Sequence, residues 1–172
     1  MSDLASLKTP TLPTTVVHHA DSRNVQSLLQ PNSIAAVFTS PPYPNEKDYT
    51  RTTRLESVLL GLISSKEELR SMKKGLLRSN TRGVYKGDSD DTWIAGNAKI
   101  LAIANEIERR RIELGKDSGF ERLYARVTKL YFGGMARHLA EMRRFLKKGA
   151  NLGYVVGDQA SYLRVMIRTG EL

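Results

Sequence analysis

The chain has 172 residues, with 27 Lys and Arg against 18 Asp and Glu for a formal charge of +9, and it contains no cysteine. That length fits one domain able to bury a real core, and the positive field draws polyanions, of which nucleic acid is the commonest large one. The missing thiols exclude disulfides, thiolate metal sites and a cysteine nucleophile.

Residues 1–13 are polar and proline-spaced, read as a loose arm without the apolar segment of a secretory signal. No apolar run is long enough to cross a bilayer, so the expectation is a cytoplasmic protein. Residues 14–20 (TTVVHHA) read as a first strand, followed by turn and capping residues Asp21-Ser22-Arg23-Asn24. His18 and His19, adjacent on a strand, point to opposite faces, so no metal site is expected there. Val25, Leu28 and Leu29 give a short helical face closed by Pro31-Asn32. Ile34 to Thr39 is a continuous apolar run bounded by turn signals, as in a strand covered on both faces. Strand, helix, strand in this order favours a parallel α/β arrangement.

From Thr50 to Lys148 the pattern turns helical. Leu55, Val58, Leu59, Leu62 and Ile63 form one stripe, and Leu69, Met72, Leu76 and Leu77 another. Residues 78–92 are polar and glycine-punctuated, a loop. Ile100, Ile103, Ile107 and Leu114 mark a third helix, and the periodicity from Phe120 to Leu146 marks a long one. The long helix is expected to bend or be closely approached at Gly133-Gly134 and to end at Lys147-Lys148-Gly149. Leu152 to Gly157 reads as a third strand running into Asp158, and Tyr162 to Leu172 begins a further element.

The chemistry concentrates where strands end, because ligands of open α/β sheets bind outside the carboxyl ends of the strands. Asp21-Ser22, Ser40-Pro41-Pro42-Tyr43 and Asp158-Gln159 all fall there. Two prolines fix the backbone after Ser40 and donate no hydrogen bonds, which leaves the carbonyls around them free as acceptors. An acceptor carbonyl beside a side-chain oxygen suits an exocyclic amine, and Tyr43 supplies a face for a flat ring.

Ser40-Pro41-Pro42-Tyr43 after an apolar strand resembles the catalytic motif of S-adenosylmethionine-dependent amino-methyltransferases that act on DNA bases. His19-Ala20-Asp21-Ser22-Arg23, Asn32-Ser33-Ile34 and Tyr154-Val155-Val156-Gly157-Asp158 extend the resemblance over roughly residues 15–56 and 150–170. It implies an α/β fold: a partial Rossmann-like class I methyltransferase sheet with a large helical insertion. Residues 1–13 would be the arm, 14–49 the catalytic-motif part, 50–148 the insertion, and 149–172 the returning strand and the start of a truncated C-terminal part.

By the same resemblance, Ser40 and the Pro41 carbonyl orient the target amine, Pro42 fixes the turn, and Tyr43 stacks on a base flipped from double-stranded DNA. A serine at the first motif position is typical of cytosine-N4 enzymes. Adenine N6 is the alternative, usual with aspartate there, and a basic nucleic-acid-binding subunit without independent catalysis is a second. Methylation of RNA or protein amides fits less well, since those relatives carry asparagine or aspartate in place of Ser40. Attack through cytosine C5 needs a cysteine and is excluded by composition.

S-adenosylmethionine is the implied cofactor, with Asp21 and Asp158 as candidate contacts. Arg51, Arg54, Lys73, Lys74, Arg78 and Arg82 are the candidate DNA contacts, supplemented by Arg109-Arg110-Arg111 and by Arg143-Arg144 with Lys147-Lys148. The family's glycine-rich cofactor turn, close to Phe-x-Gly-x-Gly, has no counterpart, because no two glycines here are separated by one residue. The expectation is that a second chain or a further C-terminal segment supplies it, that this chain alone is inactive, and that it belongs to a restriction-modification system.

Overall fold

The computed structural model describes residues 14–45 and 47–172. Its sheet is one parallel pair. Strand β1, Ile34–Thr39, is the apolar run read from sequence, though it is not covered on both faces, Phe38 being 84% exposed, and it lies beside β2, Leu146–Tyr154. Parallel neighbours need a long crossover, and here the crossover carries every α-helix of the described residues: α1 (Tyr49–Thr52), α2 (Arg54–Leu59), α3 (Lys66–Lys74), α4 (Ala98–Glu113) and α5 (Tyr124–Arg143). The architecture is mixed α/β.

Local chemistry sets the helix starts. The Asp48, Ser65 and Asn97 side chains accept from Thr50, Glu68 and Ile100 backbone N–H groups, covering donors that the first turns of α1, α3 and α4 leave unpaired. The Glu68 carboxylate reaches back to Ser64, while Lys73 and Lys74 close α3 at its negative end. Helices α4 and α5 pack together through Ile100, Ile107, Val127, Tyr131 and Phe132. Tyr162, Val165 and Ile167 from the C-terminal segment complete that core.

Four expectations about the elements are corrected. Residues 14–20 lie outside any ladder, with Val17 89% exposed, because a strand forms only against a neighbour and none of the described residues pairs with them. Residues 25–29 make a single turn, the Leu28 and Leu29 N–H groups both reaching the Val25 carbonyl. The stripe from Leu55 to Leu62 faces outward; Leu59 and Leu60 are 76% and 73% exposed and only Ile63 is buried. Helix α5 ends at Arg143, and Lys147-Lys148-Gly149 falls inside β2 instead of closing the helix.

The last correction has a clear cause. Phe145 is buried and its carbonyl accepts from Ile34 N–H at 2.9 Å, so sheet pairing begins directly after the helix. The register then jumps, Ile34 facing Leu146 but Ala36 facing Asn151. The extra residues bulge outward around Gly149, whose φ of +78° suits glycine. The third strand expected from Leu152 is thus the latter part of this longer one.

Gly133-Gly134 is a point of close approach. A β-carbon on Gly133 would lie 2.0 Å from the Asp90 carbonyl oxygen, and one on Gly134 2.4 Å from Leu77 Cδ1. Backbone, unlike a flexible side-chain end, cannot step aside. Gly133→Ala is therefore expected to destabilise by about 2–3 kcal/mol, an overpacking penalty that outweighs the ~1 kcal/mol alanine gains within a helix. Urea unfolding with an unchanged m-value checks this.

No helix among the described residues is long and apolar enough to cross a membrane.

Candidate active site

A cavity of about 660 Å³ opens at the C-terminal end of β1. Ser40, Pro41, Pro42 and Tyr43 form one side, Asp21 and Ser22 another, and Asp48, Tyr49, Lys73 and Ser79 the remainder. Residues far apart in sequence are brought together here by three devices.

The first is the parallel pair. Thr39 pairs with Tyr154, and the Thr39 carbonyl then accepts from Val155 N–H at 2.9 Å. The Ser40 hydroxyl donates to the Val155 carbonyl at 3.3 Å. With its proton so engaged, what Ser40 offers a ligand is its lone pairs, so it acts as an acceptor. The Tyr43 ring lies against Gly157, where a β-carbon would come within 3.2 Å of Cε2.

The second device is Arg23. Its guanidinium is buried and holds the Asp21 carboxylate through Nε at 2.9 Å and Nη2 at 2.7 Å, while Nη1 binds Asp90 Oδ2 at 2.5 Å. Arg137 donates to the other Asp90 oxygen at 3.1 Å. This ties the cavity wall at Asp21 to the turn Asp90–Ile94 and to α5. His138 adds a second tie, with Nδ1 2.8 Å from the Ser22 carbonyl and Nε2 2.8 Å from the Tyr154 hydroxyl. A carbonyl only accepts, so Nδ1 carries the proton and Nε2 accepts from tyrosine.

The third is the set of contacts from Asn45 and residues 47–50 to residues 73–80. Asn45 N–H donates to the Ser79 carbonyl at 3.0 Å and Asn80 Nδ2 to the Lys47 carbonyl at 3.3 Å. Asp48, also buried, accepts from the Thr50 hydroxyl at 2.6 Å and Lys73 Nζ at 2.9 Å. Arg78 is buried beneath them, bound to both Asp88 oxygens and to the carbonyls of Lys73, Lys74 and Leu76 as a cap on α3. Residues 78–81, within the stretch read as a polar loop, are thus an ordered wall.

These carboxylates are held below their ordinary range. Burial by itself raises Asp48, but the Thr50 hydroxyl and Lys73 overcome it; for Asp88 the opposing groups are Arg78 and the Tyr85 N–H, and for Asp21 they come from Arg23. A lowered folded-state pKa gives stability that is present above the unfolded value near 3.8 and lost as pH falls through the folded values. Thermal unfolding is expected to be flat from neutral pH to about 5 and to drop steeply below about 4.

Of the sequence-picked residues, Ser40, Pro41, Pro42, Tyr43, Asp21, Lys73 and Arg78 line this cavity. Asp158 is exposed and outside its lining. Arg51, Arg54 and Lys74 are exposed and in no ion pair among the described residues, while Arg82 is exposed and lies 5.6 Å over the Phe120 ring. Arg78 faces inward, and Lys73 is paired with Asp48. Arg109 and Arg111 are tied to Glu106, Glu113, Glu108 and Asp117, an ion-paired solvated helix face. Sequence reading missed Arg23, Asp48, Asn80 and His138. Asp48 and Asn80 carried a signal, as capping residues before helical turns.

The Asp21 oxygens receive three donors from Arg23 side-chain and backbone nitrogens besides a longer contact at 3.2 Å, so they have little capacity left for a ligand's hydroxyls. The lining thus fits an amine and a flat ring on the Ser40 side, and does not fit the nucleoside of S-adenosylmethionine on the Asp21 side.

The Type II methyltransferase M.AvaI of Nostoc sp. (strain PCC 7120 / SAG 25.82 / UTEX 2576) is 28% identical over 140 residues, covering 76% of this chain and 27% of that protein. The M.AvaI of Anabaena variabilis matches with the same identity and coverage. The chain is distantly similar to a Type II methyltransferase. It spans about a quarter of the length of these curated relatives. No family model matches the chain. No solved structure matches it either.

Proposed function

We propose that this chain carries the amine-acceptor half of a DNA methyltransferase acting on the exocyclic N4 of cytosine in double-stranded DNA. It would work in the cytoplasm as part of a restriction-modification system. The observation that carries the reading is the Ser40–Tyr43 turn, opening into a cavity at the end of a parallel strand with the Ser40 oxygen left as an acceptor. The distant similarity to a Type II methyltransferase supports it.

The chemistry on the chain's side is positioning and electrostatics. Ser40 Oγ and the Pro41 carbonyl each accept one N–H of the amine, turning the nitrogen lone pair out of conjugation with the ring. The same two acceptors stabilise the positive charge that grows on nitrogen as its new bond forms. Tyr43 stacks on the flipped base, and Pro42 keeps the turn rigid. S-adenosylmethionine would supply the methyl group: the N–C bond would form as the S–CH3 bond breaks, the thioether would leave, and the extra proton on nitrogen would pass from the Ser40 and Pro41 acceptors to solvent.

Because Asp21 is engaged by Arg23 and Asp158 lies outside the lining, the donor is assigned to a segment other than these residues, on a second chain or a longer one, with a Phe-x-Gly-x-Gly turn. Helical residues 50–148 hold the duplex, with Arg51, Arg54, Lys74 and Arg82 on phosphates.

The test supplies isotope-labelled S-adenosylmethionine and duplex DNA to this chain, alone and with such a segment, and identifies the nucleosides by mass spectrometry. N4-methylcytosine only in the complemented reaction is the expected result. N6-methyladenine would move the target to adenine. Tight calorimetric binding of S-adenosylmethionine by this chain alone would overturn the division of the site, and no methylated nucleoside at all would leave a DNA-binding subunit.

A further inference from the structure

A second depression, about 310 Å³, lies on the other side of the segment that walls the first cavity: Ala20, Asp21 and Ser22 face one, Arg23 and Asn24 the other. Its floor and rim are Trp93, Arg137, Glu141, Arg144 and Gln26. Trp93, the chain's single tryptophan, is 52% exposed although Asp90 and Ile94 on the same turn are buried.

The indole is on a rigid mount. Asp90 is clamped by Arg23 and Arg137, and its carbonyl is seated against Gly133, where any β-carbon would clash. An exposed aromatic on a fixed turn loses little entropy when a flat ring stacks on it. Around it, the Arg137 and Arg144 side chains are 40% and 62% exposed; each spends one Nη on its carboxylate, Asp90 or Glu141, and has further N–H groups. Arg143, Lys147 and Lys148, near Arg144 in sequence, are exposed and in no ion pair among the described residues.

We infer that this depression is a second nucleotide-binding site, which takes the nucleotide next to the target in the same strand. Its base stacks on Trp93, its phosphate meets Arg144 and Arg137, and Asn24 and Gln26 lie at the base edge. An aromatic platform beside guanidinium groups is how single-stranded segments are held without covalent chemistry. The shared wall sets the spacing, since a strand with one nucleotide in the first cavity passes directly over Asp21–Asn24 to reach the second. The inference rests on the first cavity taking a nucleotide.

Because Trp93 is the chain's one tryptophan, its emission reports this site alone. The whole chain is titrated with a duplex oligonucleotide carrying two adjacent unpaired cytosines, following Trp93 fluorescence together with the anisotropy of a label on the DNA. Quenching that tracks the anisotropy is expected. Trp93→Ala should weaken binding by about 5- to 100-fold, the range for losing one stacked base. Arg144→Gln, at a largely exposed side chain, should weaken it by a few-fold and lower the salt slope by about 1.

Anisotropy showing binding while Trp93 emission stays constant overturns the site, as does wild-type affinity in both variants. Ser40→Ala separates this from the methyltransferase reading: it removes methyl transfer but leaves the Trp93 response. A chain that quenches on binding DNA yet yields no methylated nucleoside with any donor segment keeps this site while the methyltransferase reading falls.

Discussion

Replacing Arg78 with methionine is expected to destabilise the protein by about 3–5 kcal/mol and to open the cavity wall. The guanidinium is buried and binds both oxygens of Asp88 together with the carbonyls of Lys73, Lys74 and Leu76. Methionine keeps the volume and removes every donor. Asp88 loses its paired charge in a half-buried place and keeps the Tyr85 N–H at 2.6 Å, and the last carbonyls of α3 lose their cap. Lysine is expected to recover little, because a single ammonium cannot reproduce a planar fork with five N–H groups. Arg82→Met is the control, since that side chain is exposed and rests on Phe120. It should change stability by no more than about 0.5 kcal/mol. Urea denaturation of the three variants separates the roles, and equal losses for Arg78 and Arg82 would overturn the assignment of Arg78 to the fold.

The pair of arginines also shows where sequence reading stops. Arg78 and Arg82 are indistinguishable in a list of basic residues; only the structure turns one inward, by pairing it with Asp88 across a loop. Arg23 is a stronger case, because its partner Asp90 lies 67 residues away. Pairings at such separations leave no local pattern. What was legible was local: Ile34–Thr39 is a bounded apolar run, and the adjacent residues Ser40 to Tyr43 line the cavity at its end.

The misreadings have physical reasons too. Lys147-Lys148-Gly149 has the chemistry of a helix C-terminus, yet Arg143-Arg144 already end α5, and burial of Phe145 commits the next residues to the sheet. The leucines of 55–62 have helical spacing, but spacing identifies an apolar face without saying what it meets; here Leu55, Leu59, Leu60 and Leu62 meet solvent. TTVVHHA has strand composition, and β-propensity expresses packing against neighbours that this segment lacks among the described residues.

Ser40→Ala is expected to lower the rate of methyl transfer by roughly 10²- to 10³-fold in the complemented assembly, the range for losing one oriented polar partner of a developing charge. The argument turns on direction. Ser40 donates to the Val155 carbonyl at 3.3 Å, so its lone pairs are aimed where an amine N–H arrives, and alanine removes the acceptor while the backbone turn stays fixed by Pro41 and Pro42. Stability should stay within about 0.5 kcal/mol, because Ser40 is exposed and its hydrogen bond is long. Affinity for DNA with an unpaired cytosine should fall far less than the rate, since stacking on Tyr43 survives and the lost interaction strengthens only as charge grows on nitrogen. Ser40→Thr keeps the hydroxyl and should retain most of the activity. A rate unchanged in Ser40→Ala would place the amine elsewhere. An affinity loss as large as the rate loss would make Ser40 a binding contact with no further part in the transition state.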